Sequence, residues 1–213
     1  MKKATVIDPL RMASILWPHI TFYREQKEII YSVRDNDETF VSAGNMLGKD
    51  FVSAFIVLWF FLSRHPVRIV STSVDATQLE GVLWGEIRRF IQESRRGDKL
   101  NVLDSSNGGP LLVNHMHLRK VMPNGAVDGL SYLIGRVAAK GEGMLGHHIA
   151  KTGDGIPRTL FLADEASGVD NESYNRADTW AERKLIIGNP YPCENFFKHG
   201  VKGGDLVAKE LIA

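Results

Sequence analysis

Short apolar runs alternate along this chain with polar segments rich in Gly, Pro and Asn. Thr39 to Ala43 (TFVSA) is β-prone and follows the polar stretch RDNDE, which predicts a buried strand. The most apolar run, Phe51 to Leu62 (FVSAFIVLWFFL), predicts a buried helix stopped by His65 and Pro66. It falls well short of the roughly 20 residues needed to cross a bilayer, so no membrane association is expected. Val67 to Ser73 (VRIVSTS) predicts a second strand, and Asp75 to Ser94 shows helical spacing with Leu79, Val82, Leu83, Ile87, Phe90 and Ile91 turned inward. From Leu111 the pattern LLVNHMHLRKVMPNG predicts a hairpin, and Ser131 to Ala139 another strand. Thr159 to Ala163 (TLFLA) and Lys184 to Ile187 (KLII) predict two more, each running into polar residues: Asp164 and Glu165 after the first, Gly188, Asn189 and Pro190 after the second. The Gly-rich stretch Lys140 to Gly155, before the first of these two, is expected to be a mobile loop. Trp59, Trp84 and Trp180 sit among apolar neighbours and are assigned to the core, while Trp17, before Pro18, is expected to be exposed.

Strands alternating with helices, with polar groups at strand C-termini, define an α/β fold with an open, mostly parallel central sheet flanked by helices. At 213 residues and 44% hydrophobic content the chain reads as one domain, residues 1–213, with its core over about 20–200. Twenty-six Lys and Arg against 25 Asp and Glu give no overall basic bias, so a nucleic-acid partner must bind a local patch. A single cysteine, Cys193, excludes an internal disulfide, and with no signal-peptide h-region the expected compartment is the reducing cytoplasm.

Between the first strand and the apolar helix lies SAGNMLGKDF. A loop G-x-x-x-x-G-K-[S/T] binds phosphate because small residues let backbone N–H groups curl around the anion, a Lys reaches the β/γ oxygens and a hydroxyl meets Mg²⁺. Here Gly48 and Lys49 match strictly, while Ala43 replaces the first Gly and Asp50 the hydroxyl. The strand, loop, helix order makes Ala43, Gly44, Asn45, Met46, Leu47, Gly48, Lys49 and Asp50 a candidate phosphate cradle at a helix N-terminus, the alternative being a structural turn. Asp50 would be repelled by triphosphate unless Mg²⁺ or its water lies between them, or unless its side chain caps the helix instead. On the strand end TLFLADEA, Asp164 is the candidate for the Mg²⁺ shell and Glu165 for orienting and activating water; alone, the pair is a solvated strand end. The two loop-bearing strands are expected to lie side by side. Upstream, Gln26 offers both donor and acceptor to an adenine edge, with Phe22 or Tyr23 to stack on the ring, or else is an ordinary helix-surface residue.

Gln26, AGNMLGKD, LFLADEASGV and IIGNP occur in the order seen in the ATPase domains of phage terminase large subunits, which the chain resembles over roughly residues 20–200. The resemblance implies a P-loop NTPase-like fold and an ATPase that drives double-stranded DNA into a capsid. It implies ATP and Mg²⁺ as cofactors, a homo-oligomeric ring, and a portal and a small terminase subunit as partners. It places Gln26 at the adenine, Lys49 on the phosphates, Asp164 at Mg²⁺ and Glu165 as the water-activating residue. It also makes Gly188 and Asn189 a coupling segment that senses the γ-phosphate. The chain departs from the pattern with Asn45 where many relatives carry Arg, and with Leu145 before Gly146 where some carry an arginine finger. Arg136 and Arg158 remain as finger candidates. No nuclease domain is expected in this chain. The competing functional readings are a catalytically weak nucleotide-binding module and a helicase-like ATPase. Arg88, Arg89, Arg95 and Arg96 read as a solvated helix end, and His115, His117, His147 and His148 lack companion ligands at zinc spacing.

Overall fold

The computed structural model describes residues 6–44, 47–137 and 143–203. Two helices, α1 (Pro9–Leu16) and α2 (Arg24–Asp35), precede strand β1 (Glu38–Ser42), the glycine loop and helix α3 (Lys49–Leu62). Strand β2 (Arg68–Ser73) leads to α4 (Ala76–Gln78), a π-helical turn (Leu79–Leu83) and α5 (Trp84–Gln92). A small ribbon of β3 (Arg95–Arg96) and β4 (Lys99–Leu100) follows, then β5 (Leu111–Asn114), β6 (His117–Val121) and β7 (Val127–Val137). The chain continues through β8 (Thr159–Ala163), α6 (Asn171–Asp178), β9 (Arg183–Gly188) and α7 (Phe196–Gly203).

Seven strands form one sheet in the order β1-β9-β8-β2-β7-β6-β5. The first five are mutually parallel, and β6 and β5 add on as an antiparallel hairpin. Alternation along each strand divides the apolar residues between two faces. On one, Val41, Ile69, Leu133, Leu162 and Ile187 pack beneath α3. On the other, Phe40, Val70, Ile134, Phe161 and Ile186 meet Trp180, Phe196 and Met144.

Every residue of α3 from Val52 to Phe61 is buried. The helix is apolar all round because α1, α2 and α5 cover the side that the sheet does not. Such a helix cannot slide without opening the core on both sides, so the loop at its N-terminus is rigidly based.

The expected strands all form, β8 with the bounds expected and the others with edges that move by up to four residues. Three expectations fail. Val82 is 46% exposed rather than inward, because the π turn over Leu79–Leu83 adds a residue to the turn and rotates it off the buried stripe carried by Leu79, Leu83, Ile87 and Ile91. Trp17 is fully buried: its indole N–H donates to the Phe90 carbonyl at 2.6 Å and its ring meets Phe55 and Phe90 edge-on. Strands β1 and β8 are not neighbours, because β9 lies between them. The stretch expected to be mobile lies partly outside the described residues. Within its described part Met144 is fully buried, and its carbonyl accepts from the Trp180 indole at 2.6 Å.

Candidate active site

Parallel strands point their C-terminal ends to one edge of the sheet, and β1, β9 and β8 deliver the candidate residues there. The loop after β1 is tied to β9 by the Ala43 N–H, which donates to the Gly188 carbonyl at 3.0 Å. Gly48 precedes α3 in the left-handed conformation, with φ 72° and ψ 33°. A Cβ there would stand 2.8 Å from Gln26 Nε2, so glycine is required both for the turn and for the approach of α2. Gln26 is 6% exposed, and its Oε1 accepts from the Tyr23 N–H at 3.1 Å. Its amide therefore braces the loop and caps α2 instead of lying free on a helix surface. Beside it is a cavity of ≈ 250 Å³ lined by Tyr23, Gln26, Ile29, Leu47, Lys49 and Ile187. Phe22 cannot stack there, since it is buried against Phe51 and Phe55 at 5.5 and 4.6 Å; Tyr23, 73% exposed, remains at the rim. Asn45 and Met46 lie outside the described residues.

Lys49, 7% exposed, holds its ammonium 2.7 Å from Asn189 Oδ1, with the Ala43 and Gly44 carbonyls at 3.4 and 3.3 Å. Asn189 Nδ2 donates in turn to both oxygens of Glu165, at 3.2 and 3.0 Å. Glu165 Oε1 stands 3.8 Å from the Lys49 nitrogen. One carboxamide thus links the cation to the carboxylate, and the position of β9 between β1 and β8 is what allows it.

Asp164 is 2% exposed, and its Oδ1 is buried without a hydrogen-bond partner. Its backbone N–H donates to the Thr72 carbonyl at 2.8 Å, which sets the carboxyl beside the end of β2, where Ser73 Oγ is likewise buried and unpaired. Burial first, then the Asp50 and Glu165 carboxylates, push Asp164 up to about 8. A buried oxygen with no donor, facing other negative groups, has the chemistry of a cation ligand. Asp50 makes no side-chain hydrogen bond or ion pair among the described residues, and its charge acts on Asp164 and on Glu86 of α5. No three His, Cys, Asp or Glu side chains converge as a cage among the described residues. A Mg²⁺ shared with phosphates needs only one or two carboxylates, so Asp164 and Asp50 fit that ion.

Glu165 itself has φ 48° and ψ 45°, a left-handed conformation that costs a non-glycine residue roughly 1–2 kcal/mol. The turn after it, Ala166–Gly168, is held from outside. Asn195 Nδ2 lies 2.8, 3.2 and 2.7 Å from the carbonyls of Ala166, Ser167 and Val169, while its Oδ1 accepts from the Phe197 N–H at the start of α7. Gly188 lies against the same turn, where a Cβ would sit 2.9 Å from the Ala166 nitrogen.

The structure therefore brings together Gln26, Ala43, Gly44, Leu47, Gly48, Lys49, Asp50, Asp164, Glu165 and Asn189. Arg158 is not among them. It precedes β8, at the opposite edge of the sheet, and pairs with Asp154 at 2.8 Å. A cavity of ≈ 1150 Å³ opens at that same far edge, where Arg158, Arg183 and Lys184 are each matched to carboxylates. Arg136 ends β7 on the candidate-site edge, two strands beyond β8, and is exposed. Asn195 was missed by sequence reasoning because an Asn-Phe-Phe stretch carries no motif.

No protein-family model matches the chain, and no curated protein matches it by sequence. Solved structures do match. The large terminase of a thermophilic bacteriophage, in complex with ADP, superposes with a TM-score of 0.54 at 13% identity, over 80% of this chain and 39% of that one. The same terminase in complex with ATP-γ-S gives 0.51 at 15% identity, over 80% and 38%. The large terminase ATPase domain of Thermus phage P74-26 gives 0.53 at 13% identity, over 83% and 70%. The fold is that of phage large-terminase ATPase domains, P-loop NTPase-like, and the chain spans about two fifths of the first of these terminases.

Proposed function

We propose that this chain is the ATPase domain of a viral DNA-packaging motor, hydrolysing ATP with Mg²⁺ to drive translocation of double-stranded DNA. The observation that carries the reading is the Lys49–Asn189–Glu165 chain of contacts beside the unpaired carboxylate of Asp164. That arrangement supplies a cation for phosphate, a base for water and a ligand for metal at one sheet edge. Nucleotide-bound neighbours of the same fold support it.

Asp164 and Asp50 would hold Mg²⁺, which supplies charge neutralisation on the transferred phosphoryl group. The free N–H groups at the start of α3, after Gly48, would face the β-phosphate. Lys49 exchanges Asn189 Oδ1 for a phosphate oxygen, a shift that keeps its buried ammonium hydrogen-bonded throughout. Glu165, oriented by Asn189 Nδ2, accepts the proton of the attacking water as the Pγ–O bond breaks and ADP leaves. Asn189 touches both Lys49 and Glu165, so it registers whether phosphate has claimed the lysine. Gln26 and Tyr23 border the cavity for the base. The homo-oligomeric ring, the portal and the small terminase subunit follow from the same reading.

The test is DNA-stimulated ATP turnover by this chain alongside the substitution Glu165→Gln, with fluorescent-nucleotide binding measured in parallel. Nucleotide affinity within threefold of wild type with turnover down by at least 100-fold is expected, the scale of removing one acid–base group. Unchanged turnover in Glu165→Gln overturns the assignment.

A further inference from the structure

The sheet face that carries Phe40, Phe161 and Ile186 is roofed by α6, α7 and the Met144 segment only as far as β2 and part of β7. Beyond that, among the described residues, Leu112, Asn114 and Arg136 are exposed on this face and His117 and Arg119 half-buried. In-register pairing sets the side chains of this open face in rows: Arg68, Tyr132, Arg119 and Leu112 across four strands, then Val70, Ile134, His117 and Asn114. The next row carries Thr72 and Arg136.

The charge on this face is one-sided. Toward β1 its cations are matched, Lys184 by Glu38 and Asp178. Toward β6 they are not: Arg68, Arg119 and Arg136 form no ion pair among the described residues. Arg68 donates to the His148 carbonyl at 2.6 Å, and Arg119 to His117 Nε2 at 3.0 Å and the Asp128 carbonyl at 3.4 Å. Their guanidinium carbons stand 5.5 and 6.0 Å from the centre of the Tyr132 ring. Among the described residues, His117, His147 and Tyr132 feel the charges of these arginines and of no carboxylate. The Tyr132 hydroxyl is already taken by His147 Nδ1 at 2.7 Å, so its ring is a spacer between cations and not a free stacking platform.

We infer that the open face of β5, β6 and β7 docks the phosphate backbone of duplex DNA, with Arg119 and Arg136 as its phosphate contacts and Arg68 and His117 flanking them. Arg119 lies opposite Tyr132, and Arg136 is four residues further along β7, about 13 Å at a strand's rise. A duplex presents one charge per roughly 1.7 Å of its axis, so a span of this length meets several phosphates. The face offers cations and few groups for base edges, which makes the docking independent of sequence. With a net charge of +1 the chain has no general attraction for DNA, and the local patch must supply it. The inference rests on the proposed motor function only for its occupant.

The experiment is fluorescence anisotropy of two unrelated labelled duplexes, without nucleotide, against the wild-type chain, Arg119→Gln/Arg136→Gln, Arg136→Gln alone, and Arg95→Gln/Arg96→Gln. The last makes the same charge change on the exposed β3–β4 ribbon. The double variant should lower affinity for both duplexes about tenfold and reduce the log–log salt slope by about 2, near 0.9 per phosphate released. Arg136→Gln should take about half that slope. Since Arg136 forms no hydrogen bond among the described residues, loss of fold does not enter. Equal weakening by the ribbon variant, or a wild-type chain that binds no duplex because the face meets a protein or a single strand instead, overturns the proposal. A chain that binds duplex in this pattern but never hydrolyses ATP removes the motor reading and leaves the docking surface standing.

Discussion

Replacing Asp164 by Asn should make the nucleotide-free protein more stable while destroying metal-dependent nucleotide binding. The Asp164 carboxyl is buried, its Oδ1 has no partner, and it is pushed up to about 8 from 3.8. A raised folded-state value means that its contribution to stability is complete below about pH 4 and is lost as pH rises towards 8. At pH 7 folding must protonate a group that is ionised in the unfolded chain, about three pH units above its free value. At about 1.4 kcal/mol per unit that costs about 4 kcal/mol. The Asn replacement avoids the protonation but still buries an unpaired amide, worth about 1–3 kcal/mol. A net gain of about 1–3 kcal/mol remains at pH 7, or several degrees in Tm for a domain of this size. At pH 5 the protonation cost falls below about 2 kcal/mol, and the gain should vanish. Thermal unfolding of both proteins in EDTA from pH 5 to 8 measures this. Adding Mg²⁺ and ATP should reverse the order, because only the wild type is stabilised by the bound complex. An Asn variant that is less stable than wild type at every pH, or a stability difference that does not change with pH, refutes the account of Asp164 as a carboxylate kept for a cation.

Lys49→Ala should reduce turnover by about 10²- to 10³-fold, the scale of one preorganised charge donor; steady-state kinetics within threefold of wild type would remove the loop from the site. Gly48→Ala should destabilise the protein by about 1–2 kcal/mol, because the left-handed φ and the 2.8 Å approach of Gln26 both resist a Cβ, and a two-residue change with Gln26→Ala should recover only the steric part in a denaturant titration. Asn195→Ala, which frees the turn after Glu165, should lower kcat with little change in KM, whereas equal effects on both would reduce Asn195 to a fold residue. Asp50→Ser should bind ATP better than wild type in EDTA, and identical Mg²⁺ dependence in the two proteins would exclude a metal-bridging Asp50.

The strands were legible because each is a short β-branched run closed by polar residues, and the candidate residues were legible because they sit at the ends of those runs. What sequence could not give was adjacency. Nothing in KLIIGNP says that β9 enters between β1 and β8, and that insertion is why Asn189 reaches both Lys49 and Glu165. Trp17 misled because Trp-Pro looks like a surface turn, while its burial depends on Phe90 far along the chain. Val82 misled because a periodicity of 3.6 assumes an unbroken α-helix, and the π turn is invisible to it. Arg158 stands immediately before β8 and so at the edge opposite Asp164, and its pairing with Asp154 was not legible in the sequence.

The contact between Lys49 and Asn189 Oδ1 bears on how products leave. A buried ammonium stripped of its phosphate would face the full cost of an uncompensated charge, and that cost would hold spent nucleotide in place. Here the side-chain oxygen of Asn189 and the carbonyls of Ala43 and Gly44 lie within reach to take over, so departure is an exchange of partners and not a loss. Under the proposed function, that exchange would give up some tightness for ATP and lower the barrier to emptying the site, which suits repeated cycles more than a single firm grip.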